Sequence, residues 1–473
     1  MVVPAAEALA GALAARIEEA LRRAASSGRP VLASTTAELG PGVDPAAVVF
    51  ASRRADERWF AWEQPDRDGF ALGALGAAHV VEAVPARDRF RAATRECSEL
   101  MRNAVTGVAP DRLAAGPVWV GGFSFFPEGG SEPHWASLPA TLLVLPEVSL
   151  ARSGGDTAAT VNVVCRPGDD AVALVDRAAA RVGSLRDDAV PLIDPDPAGG
   201  YDIASVLPPQ DYERSVAQGS QRVRGGVVDK VVLAREVRVS GARPFNPGAV
   251  FAALRSGYPS CYCFCVGTPE AAFLGASPEL LVRRAGAVVS TVALAGSSRR
   301  SADPSVDDHL GERLLHSSKD LGEHRIVIGT IERSLDTVSV WVAAADEPAV
   351  VKVANIQHLA TPVRAQLADP LSVVELAGTL HPTSAVGGEP WRAAEPLLRE
   401  LEHMDRGWYA GPIGWMDAAE DGELCVGIRC ALVQGSTAHC YAGNGIVADS
   451  DPEAELAETE VKLQAIVPAL TGA

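Results

Sequence analysis

Carboxylates are concentrated in one short stretch near the end of the chain. The segment "AGNGIVADSDPEAELAETEVKL" (442–463) holds six of them, and a helix over its second half places Glu455, Glu458 and Lys462 on one face. A charge run of this kind is usually a solvated helix face. The alternative is a bound cation, which requires further carboxylates from elsewhere in the chain.

A second helix is predicted to supply them. In "HSSKDLGEHRIV" Asp320 and Glu323 are three residues apart and therefore share a helix face. Two helices that present carboxylates across a gap suit Mg²⁺, which keeps waters and takes its remaining oxygens from an anionic substrate. On spacing alone, solvated faces with ordinary salt bridges such as Lys319–Glu323 explain both stretches better.

Two glycines and an arginine favour an anionic ligand beside these carboxylates. Gly443 and Gly445 lie at the end of a predicted strand, where glycine lets backbone N–H groups approach an anion closely. Arg429 lies in "GIRCA", predicted as an apolar strand, and a buried arginine needs a partner such as a carboxylate. A structural salt bridge and two turn glycines remain the alternative.

The bulk composition excludes several classes of protein. The 473 residues carry a formal charge of −18, which argues against nucleic acid and anionic membranes as partners, because both require clustered Lys and Arg. No apolar run is long enough to suggest a membrane span, and the N-terminus lacks the features of a secretory signal. It is instead predicted to form an amphipathic helix that ends near Gly28.

Cysteine usage indicates a reducing compartment. The chain has eight cysteines, and "CYCFC" (261–265) alternates so that a strand would place three thiols on one face. The spacing of these cysteines does not suit zinc ligation, so we expect them to be buried in the core. We predict a cytoplasmic protein.

The pattern of predicted elements favours an α+β fold. A Pro- and Asp-rich connector (192–212) separates a first part from a second with denser signals. Residues 271–299 are predicted as strands joined by turns at Gly275, Gly286 and Gly296, and 305–336 as one long helix. A hairpin turns around Gly435, and the last helix begins near Pro452 with Asp451 as its N-cap. Regular βαβ alternation is absent from this pattern.

Ten motifs in the second half of the chain resemble those of the chorismate-utilising enzymes, and most closely those of isochorismate synthases. They follow the family's order: "KVVLAR" (230–235), "LGASPELLVR" (274–283), "LAGSSRR" (294–300), "SSKDLGEH" (317–324), "HLATP" (358–362), "LHPTSAVGG" (380–388), "DRGWYAGPIGW" (405–415), "GIRCA" (427–431), "AGNGIV" (442–447) and "ETEVKL" (458–463).

The resemblance implies a single large α+β domain, with two packed antiparallel sheets and helices outside, that binds chorismate with Mg²⁺. Residues 205–470 would form the catalytic region, and 1–195 the weakly matched N-terminal part of the fold. A glutaminase subunit is not expected, and the protein would be a monomer or a weak homo-oligomer.

The resemblance also assigns the site residue by residue. Lys230 would be the base that activates water, and Glu279 the acid that protonates the departing C4 hydroxyl. Glu323 and Glu458 would bind the metal, with Glu455 close by. The substrate pocket would be lined by Gly296, Ser297, His358, Ala385, Tyr409, Ile428, Arg429, Gly443 and Lys462. A base at neutral pH requires a lysine with a lowered pKa.

Four positions separate the family's reactions. Lys230 is typical of members that use water, whereas the nucleophilic lysine of aminodeoxychorismate synthases is replaced by Ala295. Salicylate synthases, which keep the lysine and then eliminate pyruvate, tend to have Thr and Leu where this chain has Ala385 and Ile428. We therefore expect an isochorismate synthase that supplies menaquinone biosynthesis. A salicylate synthase, a siderophore-pathway isochorismate synthase and a non-catalytic chorismate-binding homologue are the alternatives.

Overall fold

Two large β-sheets form the centre of the protein in the computed structural model, which describes residues 2–82, 86–192 and 200–472. Twenty-three strands are described: β1 (Val31–Pro41), β2 (Trp59–Gln64), β3 (Phe70–Leu75), β4 (His79–Val81), β5 (Val105–Thr106), β6 (Val118–Phe123), β7 (Thr141–Leu145), β8 (Val148–Ser153), β9 (Asp156–Cys165), β10 (Tyr201–Ser205), β11 (Lys230–Gly241), β12 (Tyr262–Gly267), β13 (Ala272–Ser277), β14 (Leu280–Ala285), β15 (Val288–Arg299), β16 (Ser339–Ala344), β17 (Ala349–Lys352), β18 (Ile356–Leu367), β19 (Gly388–Glu389), β20 (Pro412–Asp417), β21 (Gly422–Val426), β22 (Cys430–Gln434) and β23 (Thr437–Ile446).

Helices lie between these strands and at both ends of the described chain. They are α1 (Val2–Ser27), α2 (Pro45–Ser52), α3 (Arg89–Arg102), α4 (Ala171–Gly183), α5 (Pro209–Arg224), α6 (Pro247–Gly257), α7 (Pro304–His316), α8 (Ser318–Asp336), α9 (Val373–Leu380), α10 (Trp391–Leu401), α11 (Pro452–Leu463) and α12 (Val467–Thr471), with one 3₁₀ turn at Pro133–Trp135.

The order of the strands shows how the two parts of the chain combine. One sheet runs β10-β11-β23-β22-β13-β12-β2-β3-β8-β9-β1-β5, with β19 paired to β11. The other runs β16-β18-β15-β14-β21-β20-β6-β7-β4, with β17 paired to β18. Because β2 pairs with β12 and β6 with β20, both sheets cross from the first part of the chain to the second without interruption.

The α+β class and the two packed sheets are confirmed. Among the described strands, the pairings are antiparallel except for β1 with β5. The main core lies between the sheets, where Phe70 of one sheet contacts Trp415 of the other with ring centroids 5.8 Å apart. A second core packs α1, α2, α4, α6 and α12 onto the outer face of the larger sheet.

Several local predictions are confirmed. The N-terminal helix ends at Ser27, before Gly28. α11 begins at Pro452, and the Asp451 side chain accepts a hydrogen bond from the Ala454 amide at 2.9 Å. All eight cysteines are free and buried. Within the described residues, no helix is long and apolar enough to cross a membrane.

Other local predictions are wrong. The helix expected over 305–336 is two helices, because Ser317 takes an extended conformation and caps α8 through the Asp320 amide at 3.3 Å. Gly275 lies inside β13 instead of at a turn, and a Cβ there would come within 2.8 Å of the Arg429 carbonyl oxygen. Gly296 forms a bulge within β15.

The predicted connector (192–212) is also more structured than expected. It contains β10, which pairs with β11, and the beginning of α5 at Pro209. Residues 193–199 of this segment lie outside the described residues.

Candidate active site

All fourteen residues selected from the sequence line one cavity. They are brought there by β11, β15, β18 and β23, by helices α8 and α11, and by four connecting segments. Seven further residues line it: Val232, Leu294, Ala295, Lys319, Asp320, Val386 and Gly445.

Lys230 is the first residue of β11 and lies at the bottom of this cavity. Its side chain is only 1% exposed, and its Nζ forms an ion pair with Glu323 Oε1 at 2.8 Å. A Cβ on Gly445, in the neighbouring strand β23, would overlap both partners of this pair. Gly445 is therefore required so that the ion pair can pack against the strand.

The carboxylates of the two helices line the same cavity, and three of them are paired with lysines. Glu458 accepts from Ser297 Oγ at 2.5 Å and pairs with Lys462 at 2.8 Å. Burial alone would raise the pKa of Glu458, but Lys462 and the Ser297 hydrogen bond hold it at about 2. Glu455 pairs with Lys319 at 3.2 Å.

The donor set of this cluster fits a hard divalent cation. Asp320 and Glu323 come from α8, and Glu455 and Glu458 from α11. Burial, aided by neighbouring carboxylates, raises the pKa of Asp320 and of Glu455. Carboxylate oxygens are the ligands that Mg²⁺ prefers.

A bulge in β15 creates the opposite side of the cluster. Gly296 has a φ of +75°, which a residue with a side chain rarely adopts, and the bulge places Ser297 opposite His358. Burial and the nearby Arg429 lower the pKa of His358 to about 3, so its ring is neutral. His358 Nδ1 lies 3.3 Å from the Gly296 carbonyl oxygen. Because a carbonyl oxygen can only accept a hydrogen bond, Nδ1 carries the proton, and Nε2 accepts a hydrogen bond from Arg429 at 3.3 Å.

Arg429 lies just before β22 and not in a strand as predicted. Its φ is +52°, and its partly buried side chain lines the cavity. In the described part of the chain its guanidinium forms no salt bridge, and its recorded hydrogen bond goes to His358. A partly buried guanidinium that lacks a carboxylate partner within the described residues suits an anionic ligand.

Lys462 and Gly443 lie beside this guanidinium. The Lys462 ammonium donates to the Gly443 carbonyl at 3.0 Å and to Asn444 Oδ1 at 2.6 Å, in addition to its pair with Glu458. A Cβ on Gly443 would lie 2.9 Å from the Tyr409 hydroxyl, so this glycine makes room for the tyrosine.

Glu279 is enclosed between β13 and β14. It is 5% exposed, and burial raises its pKa to about 7 although Lys230, Arg429 and Lys462 act in the opposite direction. This carboxyl group can therefore hold or release a proton near neutral pH.

A buried ion pair fixes the segments that carry these side chains. Arg406 donates to the Val232 carbonyl of β11 at 3.0 Å and to the Val386 carbonyl at 2.7 Å. Its partner Glu402 accepts from the Ala234 amide at 2.9 Å, so the pair joins β11 to the segment around Ala385. The sequence analysis missed this pair, although Arg406 lies in the quoted motif "DRGWYAGPIGW".

The match to a protein family covers nearly the whole chain. Residues 19–471 fit the model described as "Chorismate binding enzyme". The chain belongs to this family. The expected resemblance is confirmed, and it extends through the N-terminal part that the sequence motifs left unmatched.

Relatives within the family include proteins of matching length. The salicylate biosynthesis isochorismate synthase of Pseudomonas aeruginosa is 36% identical, over 97% of this chain and 94% of that protein. The isochorismate synthase MenF of Bacillus subtilis is 33% identical, over 96% of both. The structure of the menaquinone-specific isochorismate synthase MenF of Escherichia coli has a TM-score of 0.77 at 25% identity, and covers 97% of this chain and all of that one.

Within the described residues, one group of three side chains has potential metal-ligand atoms close together, and it lies outside the cavity. His134, Glu236 and His439 have ligand atoms within 4.8 Å of one another. The two imidazoles stack with centroids 4.1 Å apart and planes 14° apart, so their in-plane lone pairs do not converge on one point. His439 pairs with Glu236 at 2.7 Å and His134 with Tyr441 at 3.2 Å, which satisfies the cluster internally.

The buried carboxyl group of Glu279 predicts a pH-dependent stability. A folded-state pKa of about 7, above the usual 4.5, means that the folded protein binds the proton more tightly than the unfolded chain. The free energy of unfolding of the wild type should therefore fall by about 2–3 kcal/mol relative to that of Glu279→Gln as the pH rises from about 5 to about 8. Urea unfolding across this range measures the difference.

Glu270→Gln provides the matched control, since it removes a carboxylate from the surface. A free-energy difference between wild type and Glu279→Gln that stays constant with pH would show that the carboxyl group is not perturbed.

Proposed function

We propose that the protein is an isochorismate synthase, an isomerase that interconverts chorismate and isochorismate. The carrying observation is one cavity lined both by Arg429, whose partly buried guanidinium forms no salt bridge within the described residues, and by four carboxylates. Chorismate carries two carboxylates, so it can satisfy Arg429 with one and complete the coordination of a metal with the other.

Binding is assigned to the cationic side of the cavity. Arg429 and Lys462 would hold the enolpyruvyl carboxylate beside the backbone of Gly443. Glu323 and Glu458, with Glu455 close by, would hold Mg²⁺, which neutralises the ring carboxylate of the substrate. His358, Ser297 and Gly296 shape the wall next to the ring, and Ala385, Tyr409 and Ile428 form the less polar remainder.

Proton transfer is assigned to Lys230 and Glu279. In its neutral amine form, Lys230 takes a proton from water as the water oxygen bonds to C2 of the ring. The ring double bonds shift, the bond from C4 to its hydroxyl breaks, and Glu279 gives its proton to the departing oxygen. The pKa of about 7 keeps Glu279 partly protonated at neutral pH, as this role requires.

Two features support water addition over the other reactions of the family. Ala295 lines the cavity where a nucleophilic lysine would otherwise stand, so no covalent intermediate can form there. Ala385 and Ile428 differ from the Thr and Leu expected of a salicylate synthase, which would go on to eliminate pyruvate. Supply of menaquinone biosynthesis stays a prediction, because relatives named for salicylate biosynthesis and as MenF match over similar lengths.

Product analysis tests the function. Chorismate incubated with the protein and Mg²⁺ should give isochorismate, separated by chromatography, without salicylate or anthranilate. Lys230→Ala should reduce kcat by about 10²–10⁴-fold, because the general base is lost. Lys352→Ala, which removes a lysine from outside the cavity, should retain full turnover.

Salicylate as the main product would indicate a salicylate synthase, which eliminates pyruvate after forming isochorismate. No product from the wild type would favour a chorismate-binding protein without activity. Near-normal turnover by Lys230→Ala would show that Lys230 is not the base.

The metal assignment predicts a joint loss of metal and substrate affinity. Glu323→Gln and Glu458→Gln each remove one anionic ligand, so the concentration of Mg²⁺ at half-maximal activity and the KM for chorismate should both rise at least about tenfold. Steady-state kinetics with both concentrations varied measure the two effects. Undiminished wild-type turnover in excess chelator would contradict a metal-dependent reaction.

A further inference from the structure

Lysine is rare in this protein, and three of its four lysines line the active-site cavity. The chain contains four lysines against 38 arginines. Lys230, Lys319 and Lys462 line the active-site cavity, and Lys352 lies outside it. Arginine serves as the cation almost everywhere else, so these three positions require a property that arginine lacks.

Each cavity lysine is paired with a different carboxylate of the proposed metal site. Lys230 pairs with Glu323 at 2.8 Å, Lys462 with Glu458 at 2.8 Å, and Lys319 with Glu455 at 3.2 Å. The proposed base and the proposed substrate-binding lysine account for two of these pairs. Lys319 has no role in the proposed reaction.

Lys319 differs from the other two in its surroundings. Its side chain is 42% exposed, whereas its partner Glu455 is only 4% exposed. Glu455 is also held by Asn444, whose side-chain amide donates to Glu455 Oε2 at 3.0 Å. The carboxylate is thus fixed in the cavity, while the ammonium reaches it from the mouth on a flexible stem and can withdraw into water.

The choice of lysine suits a contact that must be broken. Arginine can bind a carboxylate through two parallel hydrogen bonds from its rigid, planar guanidinium. The lysine ammonium is a compact, strongly hydrated charge on a flexible side chain. An ammonium can therefore neutralise Glu455, and its ion pair can be broken at a small cost in free energy when a divalent cation binds.

We propose that Lys319 is a releasable counter-charge, which neutralises Glu455 in the metal-free protein and gives way when a divalent cation binds. The inference rests on the proposed metal site, and it deepens that proposal by naming a residue that opposes metal binding. It predicts the unusual result that removing a side chain from the active site strengthens metal affinity.

The test measures metal binding without chorismate. Mn²⁺ is titrated into the full-length protein, and the free ion is followed by electron paramagnetic resonance. Lys319→Met keeps the length of the side chain but removes the charge, and should lower the dissociation constant roughly three- to tenfold, the range expected for a half-exposed ion pair. Lys319→Arg should raise it, because the guanidinium holds Glu455 more firmly.

Lys352→Met is the matched control, since it changes the net charge of the protein equally but removes pairs with Asp307 and Asp308 outside the cavity. It should leave the dissociation constant unchanged. Equal or weaker binding by Lys319→Met, including no measurable binding by either protein, would overturn the proposal. Turnover of chorismate by the wild type is a separate readout, so failure of this inference and failure of the proposed reaction are distinguishable.

Discussion

The mutual neutralisation of carboxylates and lysines is the interaction on which this active site depends. Four acidic side chains, Asp320, Glu323, Glu455 and Glu458, line one cavity. Removing so many like charges from water is strongly unfavourable unless each has a partner. Three ammonium groups supply partners for Glu323, Glu458 and Glu455. In the proposed reaction, a metal ion and an anionic substrate would compete with these pairs.

The fold explains how such a cluster can be assembled. The ammonium of Lys230 comes from the beginning of a strand, and the carboxylates come from helices whose first turns are fixed by Ser317 and Asp451. The buried Arg406–Glu402 pair links β11 to the segment that carries Ala385. Rigid elements thus set the position of the reacting groups, which proton transfer requires to within a fraction of an ångström.

Much of this site could be predicted from the sequence, because its residues lie in short motifs with regular spacing. Helical periodicity predicts the shared faces of α8 and α11, and the family resemblance brings the two together. The break at Ser317 could not be predicted, since the apolar stripe continues through it. The glycines were also interpreted incompletely: Gly445 makes room for the Lys230–Glu323 pair, a contact between residues more than ninety positions apart. Long-range pairings of this kind leave no local signal in a single sequence.

The central claim is that this cavity adds water to chorismate at C2 and releases the C4 hydroxyl. The most direct measurement runs the reaction in water enriched in ¹⁸O and analyses isochorismate from the first turnovers by mass spectrometry. The account predicts one heavy oxygen in each product molecule, located at the C2 hydroxyl. Isochorismate without the label would show that the original hydroxyl migrates within the substrate, and would contradict the assigned roles of Lys230 and Glu279.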